Sequence, residues 1–294
     1  MAGHDNSRQD TAHRVAAISP AMRIALGDQL FANAIEGVWH ASKRAITVGL
    51  AGAQGSGKST MAPRVAAALR ERGLRVTICA LDDFYLGRAE RLELAGKVHP
   101  LLATRGVPGT HDIALLEATV RKALAASGET TVAIPRFDKA VDDRLPRSAW
   151  RISAGPSDVV LVEGWCVGAR PQDRAALAEP VNSLERSDDA DGAWRHFVNE
   201  QLAGTYARLF AMLDLRLMLR APSFSRVHAW RAEQEAGLVR AGPHAPPPMD
   251  EASLARFIAH YERITRWMLQ DEPADLIADL DAERAPHAWC TGPG

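Results

Sequence analysis

Ala45-Ile-Thr-Val-Gly-Leu-Ala51 runs directly into Gly52-Ala-Gln-Gly-Ser-Gly-Lys-Ser59. The first piece is a short β-rich run that stops at a glycine, and the second matches G-x-x-x-x-G-K-[ST] in full. Beyond it Met61, Val65, Ala68 and Leu69 recur at helical period as far as Gly73. Strand, glycine loop and helix in that order is the context in which this motif cradles phosphate. The glycines let backbone N–H groups turn inward, and the helix N-terminus adds positive potential. Gly52, Ala53, Gln54, Gly55, Ser56, Gly57, Lys58, Ser59 and Thr60 therefore form the expected ATP-binding loop, with Lys58 reaching the β/γ oxygens and the Ser59 hydroxyl available to Mg²⁺. Pro63 lacks a backbone donor and is expected to bend the helix if it lies beyond the first turn.

The rest of the chain alternates in the same way. Strands are expected at residues 75–81, 130–135, 158–162, 213–219 and 276–280. Helices are expected at 112–126, 193–212 and 251–269. Residues 159–162 and 215–219 are apolar at nearly every position, as strands covered on both faces are. The expected fold class is α/β, a three-layer sandwich with a mostly parallel sheet of five or six strands and helices on both faces. Around this phosphate-loop domain (45–285) we expect a flexible polar tail (1–20), an N-terminal helical extension (21–44) whose pattern Gly27 and Gly37 interrupt, and a C-terminal tail (286–294). The stretches 187–192 and 242–248 read as loops; the first lacks the outer ligands of an EF-hand.

Composition narrows the partners. The 294 residues are 47% hydrophobic and 24% charged, and 35 Lys and Arg balance 36 Asp and Glu. That balance argues against a nucleic-acid coat. No stretch approaches the roughly 20 apolar residues of a membrane span, and the first residues carry no secretory pattern. Three scattered cysteines suit buried positions in a reduced compartment, so the expected location is cytoplasmic.

A triphosphate site needs a carboxylate for the metal, and Val159-Val-Leu-Val-Glu163 ends a buried strand with one, just before Gly164. At a strand end a lone Glu is otherwise a solvated edge residue. Leu81-Asp-Asp-Phe-Tyr-Leu86 places two carboxylates at the C-terminal end of the second strand, the edge where open α/β sheets bind ligands. Asp82 is the candidate base for an acceptor hydroxyl, with helix capping or a turn as the alternative. Asp83 is left to the metal's water shell or to structure. No stretch carries the N/T-K-x-D segment that reads guanine.

Together GAQGSGKST (52–60), LDDFYL (81–86), RGVPGTHD (105–112), PRFDKAVDDRLP (135–146), VVLVEGW (159–165) and DGAWRHFVNEQL (191–202) resemble the D-glycerate 3-kinase family, of the uridine kinase and pantothenate kinase branch of P-loop proteins. The resemblance runs from about Ile46 to the last strand. It implies an ATP- and Mg²⁺-dependent kinase whose acceptor is a small hydroxy acid. It puts the general base on Asp82 and the acceptor side on Asp82, Tyr85, Arg105, His111, Asp138, Lys139 and Arg144, with Ser59 and Glu163 toward the metal. An arginine fork suits the acceptor carboxylate. For Arg105, Lys139 and Arg144 the alternative is an exposed charge, and His111 with Thr110 and Asp112 otherwise opens the following helix. A uridine acceptor would instead call on Phe84, Tyr85 and Phe137 for stacking, residues that equally suit the core. The family's arginine-rich lid is here thinned to Arg220, Arg226 and Arg231, each either a catalytic cation or, for the latter two, a solvated helix charge.

Overall fold

The computed structural model describes residues 19–126, 128, 130–238 and 249–292. The polar tail, save its last two residues, and the loop 242–248 lie outside them. In chain order the elements are α1 (Pro20–Ser42), β1 (Ile46–Gly52), α2 (Lys58–Glu71), β2 (Val76–Ala80), α3 (Arg88–Lys97), α4 (Ile113–Ala125), β3 (Thr131–Ile134), β4 (Phe137–Asp138), β5 (Asp143–Arg144), β6 (Arg151–Ala154), β7 (Val159–Gly164), α5 (Ser183–Asp188), α6 (Ala193–Gln201), α7 (Ala207–Phe210), β8 (Leu215–Arg220), α8 (Phe224–Leu238), α9 (Glu251–Asp271), β9 (Leu276–Leu280) and β10 (Pro286–Thr291).

Six strands make the main sheet in the order β10-β9-β8-β1-β7-β2. All neighbours are parallel except β10 on β9. Every residue of β1 and β7 is buried, and two apolar clusters cover the two faces of the sheet, one built around Phe31, Val48, Val65 and Leu217, the other around Leu81, Leu116, Val162 and Ile264. Register fixes the functional edge. Glu163 stands opposite Leu50 of β1 and Ala80 of β2, so the ends of all three strands open at one place.

Three expectations are corrected. The strand at 130–135 exists but lies outside the main sheet, pairing antiparallel with β6. Its connection to β6 contains no α-helix, only the β4–β5 hairpin and a 3₁₀ turn at Arg147–Ala149, and without a helical crossover the return is antiparallel. Residues 286–291 are not a tail but the edge strand β10, brought round by a turn in which the Asp281 carboxylate accepts from the N–H groups of Glu283 and Ala285, both at 2.9 Å. The helix expected at 193–212 is interrupted by a π-turn at Leu202–Tyr206. Pro63 lies within α2, on its exposed side, and the helix continues past it to Glu71.

Helix α1 is continuous through Gly27 and Gly37. Ser19 caps it by accepting from Met22 N–H, and Pro20 begins it. Phe31 and Ile35 are fully buried beneath β1, and the Trp289 ring of β10 meets Phe31 edge-on, with centroids 5.5 Å apart. The helical extension is thus part of the core.

A second tie holds the loop after β2. Tyr85 and His111 form an isolated antiparallel bridge, flanked by Leu86 N–H on Thr110 O (2.9 Å) and Asp112 N–H on Phe84 O (2.7 Å). Asp112 caps α4 by accepting from Leu115 N–H. The His111 ring stacks on Tyr85 (4.4 Å) and its Nδ1 lies 2.5 Å from the Tyr206 hydroxyl. Burial pushes the imidazole down from 6.5 to about 3, against the pull of Asp82.

Two outcomes follow from this packing. Phe31→Ala is expected to lower unfolding free energy by about 3–4 kcal/mol in a denaturant titration; a loss under about 1 kcal/mol would show α1 to be an appendage. Because the folded state keeps His111 neutral while the unfolded chain protonates it below about pH 6.5, its contribution is present above that pH and drains away toward pH 3. His111→Gln should therefore flatten the acid side of the stability–pH curve, an effect read from unfolding midpoints between pH 7 and 4.

Candidate active site

The phosphate loop takes its shape from two kinds of constraint. Gly55 has φ +77°, and a Cβ there would stand 2.5 Å from the Cβ of Trp230 on α8. Only glycine satisfies both backbone and neighbour. On the far side Arg284 of the β9–β10 turn donates to Gly55 O at 2.6 Å while its guanidinium lies over the Trp230 ring. Lys58 begins α2 with its ammonium 4.0 Å from Glu163 Oε2, and the Ser59 hydroxyl donates to Glu163 Oε1 at 2.9 Å.

Glu163 is 6% exposed, and burial raises its carboxyl pKa, partly offset by Lys58. A serine hydroxyl and a buried carboxylate that lacks full compensation are hard oxygen donors, and they fit a divalent cation such as Mg²⁺.

Asp82 sits in the 3₁₀ turn Leu81–Phe84 directly after β2. Its Oδ1 accepts from the Tyr85 hydroxyl at 3.0 Å and its Oδ2 from the Lys139 ammonium at 2.6 Å. Burial alone would push this carboxyl up; the charges of Lys139 and Lys58 and the Lys139 hydrogen bond outweigh it and hold Asp82 well below the usual carboxylate range. Asp83 turns the other way and accepts from Phe137 N–H at 3.2 Å.

These groups meet in a cleft of about 360 Å³ lined by Gln54, Gly55, Lys58, Ser59, Asp82, Tyr85, Arg105, Lys139, Trp165, Arg231, Gln234, Phe257 and Tyr261. Arg105 is anchored by Asp142 and lies 5.5 Å over the Phe137 ring. Arg231 is held by Glu235 at 2.8 Å and stacks on Phe257.

Other expected site residues fall elsewhere. Arg220 is locked between Asp279 (2.7 Å) and Glu272, tying β8 to β9. With Arg226 it lines a separate cavity of about 620 Å³ beside the β9–β10 turn, so of the three lid arginines Arg231 alone lines the cleft. Asp138 accepts from Ala140 N–H (2.8 Å), shaping the β4–β5 turn rather than the cleft. Arg144 lies behind Tyr85, donating to its carbonyl at 2.9 and 3.2 Å and reaching Asp112 at 3.3 Å. His111 forms the layer beneath Tyr85 and does not line the cleft.

Sequence reading missed Trp165, Gln234, Phe257 and Tyr261. Trp165 directly follows the metal carboxylate's strand, a signal that was there to use. Phe257 and Tyr261 belong to the apolar stripe of α9 and look like any core aromatics. Yet the Tyr261 hydroxyl donates to Arg105 O at 3.2 Å, and a Cβ at Gly106 (φ +142°) would stand 2.1 Å from it. That close approach explains the glycine after Arg105. Trp165 closes the same corner, its indole N–H donating to Gly106 O at 3.0 Å.

Comparison with known proteins agrees with this geometry. Residues 27–84, the span from α1 through the loop to Asp82, match the model of the methylmalonyl-CoA mutase-associated GTPase MeaB. A larger match is to an uncharacterized kinase of Schizosaccharomyces pombe, mug58, 35% identical over 226 residues, 74% of this chain and 79% of that one. The chloroplastic D-glycerate 3-kinase of Arabidopsis thaliana is 25% identical over 256 residues, 82% of this chain but 54% of that protein's length. Among solved structures, D-glycerate 3-kinase from Cryptococcus neoformans superposes with a TM-score of 0.76 at 24% identity, covering 90% of this chain and 98% of that one, which speaks to fold. With the glycine loop, the strand-end carboxylates and a kinase relative aligned over most of its length, the chain belongs to the same family of P-loop kinases as mug58.

Proposed function

We propose that this kinase transfers the γ-phosphoryl group of ATP to a hydroxyl of D-glycerate, in the cytoplasm and on the free acid, with neither nucleic acid nor membrane as partner. The observation that carries this reading is the cleft itself: a half-buried carboxylate, Asp82, beside two cations, Arg105 and Lys139, in one cleft with the loop lysine. Such a site suits a small molecule with a hydroxyl at one end and a carboxylate at the other. The D-glycerate 3-kinases among its relatives support the same substrate.

In this mechanism Lys58 and the loop N–H groups hold the phosphates. Ser59 and Glu163 would hold Mg²⁺, which when bound supplies charge neutralisation to the phosphate oxygens. Arg105 and Lys139 orient the acceptor carboxylate so that one hydroxyl lies against Asp82. Asp82 takes the hydroxyl proton as the oxygen attacks the γ-phosphorus in line, and Arg231 screens the charge that develops on the transferring group. ADP leaves with the electron pair of the broken P–O bond.

Of the three aromatic residues that a uridine acceptor would call on, only Tyr85 lines the cleft. Phe84 is fully buried, Phe137 lies beneath Arg91 and Arg105, and the Tyr85 ring is stacked on His111.

ADP release from Mg-ATP, measured in parallel with D-glycerate, uridine, pantothenate and no acceptor, tests the assignment. Release is expected to rise with D-glycerate alone; silence with D-glycerate, or a rise only with another acceptor, rules the reading out. Asp82→Asn should cut kcat by about 10² or more while ATP affinity stays nearly unchanged. Phosphorylation of the 2- or 3-hydroxyl is read from the product.

A further inference from the structure

Each oxygen of Asp82 has a side-chain partner, and the two partners differ in kind. Tyr85 is 3% exposed, stacked on His111 and edge-on to Phe137, so its hydroxyl is fixed on Oδ1. Lys139 stands at the turn between β4 and β5 with its side chain 59% exposed. A four-carbon stem on an exposed turn can swing, whereas a stacked, buried phenol cannot. Among the described residues Asp82 is the carboxylate paired with Lys139.

Next to this movable cation stands an immovable one. Arg105 is held by Asp142 and by the Phe137 ring, and its Nη2 lies 3.5 Å from the backbone carbonyl of Lys139. An acceptor carboxylate seated on Arg105 therefore arrives beside the lysine stem.

We infer that Lys139 is a latch on the base: its ammonium holds Asp82 Oδ2, and an acceptor that brings its own carboxylate draws the ammonium away and frees that oxygen. The exchange trades one ion pair for another, so the count of paired charges is unchanged. A neutral acceptor, water included, brings no charge in return, and the ammonium must exchange Asp82 for solvent alone. Once Oδ2 is free, the acceptor O–H bond breaks toward it, the O–Pγ bond forms, and the bond from Pγ to the departing ADP oxygen breaks. The direction of the Asp82 shift agrees: burial raises this carboxyl, and the lysine charges are what hold it down. Lys139 thus determines specificity, selecting anionic hydroxy acids and suppressing ATP hydrolysis in the empty enzyme. This inference rests on the kinase reading above and adds a reason for its preference.

The test follows ADP release from Mg-ATP by the wild-type chain, by Lys139→Met, and by Lys139→Met combined with Asp82→Asn. Each is assayed with no acceptor, with D-glycerate, and with its neutral amide D-glyceramide. Lys139→Met is expected to raise both the acceptor-free and the amide-dependent rates about tenfold or more. It should lose turnover on D-glycerate, and the gains should vanish in the double variant. Acceptor-free or amide rates that stay at or below wild type overturn the latch and leave Lys139 a ligand for the acceptor carboxylate. The acceptor-free arm needs no glycerate at all. Wild-type silence with D-glycerate beside a raised basal rate in Lys139→Met therefore removes the acceptor assignment and keeps the latch.

Discussion

The parallel pairing of β1 with β7, and of β7 with β2, is the constraint from which the site follows. With Glu163 set opposite both Leu50 and Ala80, the glycine loop, Glu163 and the turn that carries Asp82 must all emerge at one edge. Neither β1 nor β7 has an exposed residue, so a register slip would strand polar backbone and move apolar side chains to the wrong face. Precision at the edge is thus enforced by burial in the centre. The helices then add detail: α8 presses Trp230 against Gly55, and α9 sets Tyr261 against Gly106.

Electrostatics within the cleft are built from opposed terms. Glu163 is buried and Asp82 half-buried, and their carboxyl pKa values are shifted in opposite directions, because Lys58 only partly compensates the desolvation of the first while Lys139 and Lys58 together overcompensate that of the second. On the function proposed above, keeping one carboxylate short of positive charge and the other supplied with it separates a place for a cation from a place for a proton. That division is what a phosphoryl transfer to a hydroxyl requires.

Behind the cleft the structure is layered. Tyr85 forms the wall, His111 stacks beneath it, and Tyr206 bonds His111 from the far side while accepting from Gly109 N–H at 3.1 Å. Tyr206 closes the π-turn of the α6–α7 helical run, and such turns are frequent where a side chain must be aimed. The layers fix the ring that orients Asp82. They also account for a histidine in the segment after Arg105 that serves as support rather than as a wall of the cleft.

The sequence alone determined the elements whose signals are local. The glycine loop, its flanking strand and helix, the apolar strand ending in Glu163, and Asp82 at the end of β2 were all legible, because backbone chemistry and short-range periodicity encode them. So was the parallel architecture, from strands alternating with amphipathic helices. What tertiary structure decided is which distant side chains meet. Arg220, Arg226 and Arg231 are indistinguishable as charges in one stretch of sequence, but β9 supplies Asp279 to lock the first while α9 supplies Phe257 to hold the third in the cleft. Phe257 and Tyr261 were hidden in a core-like stripe, and the strand at 286–291 was hidden because its partner edge exists only after β9 has joined the sheet. Lys139 could be read as a cation near the acceptor, but its grip on Asp82 spans 57 residues of chain and depends on a turn closing over the base. Local propensity carries no record of such an encounter; only the packed sheet and its loops bring the two charges within 2.6 Å.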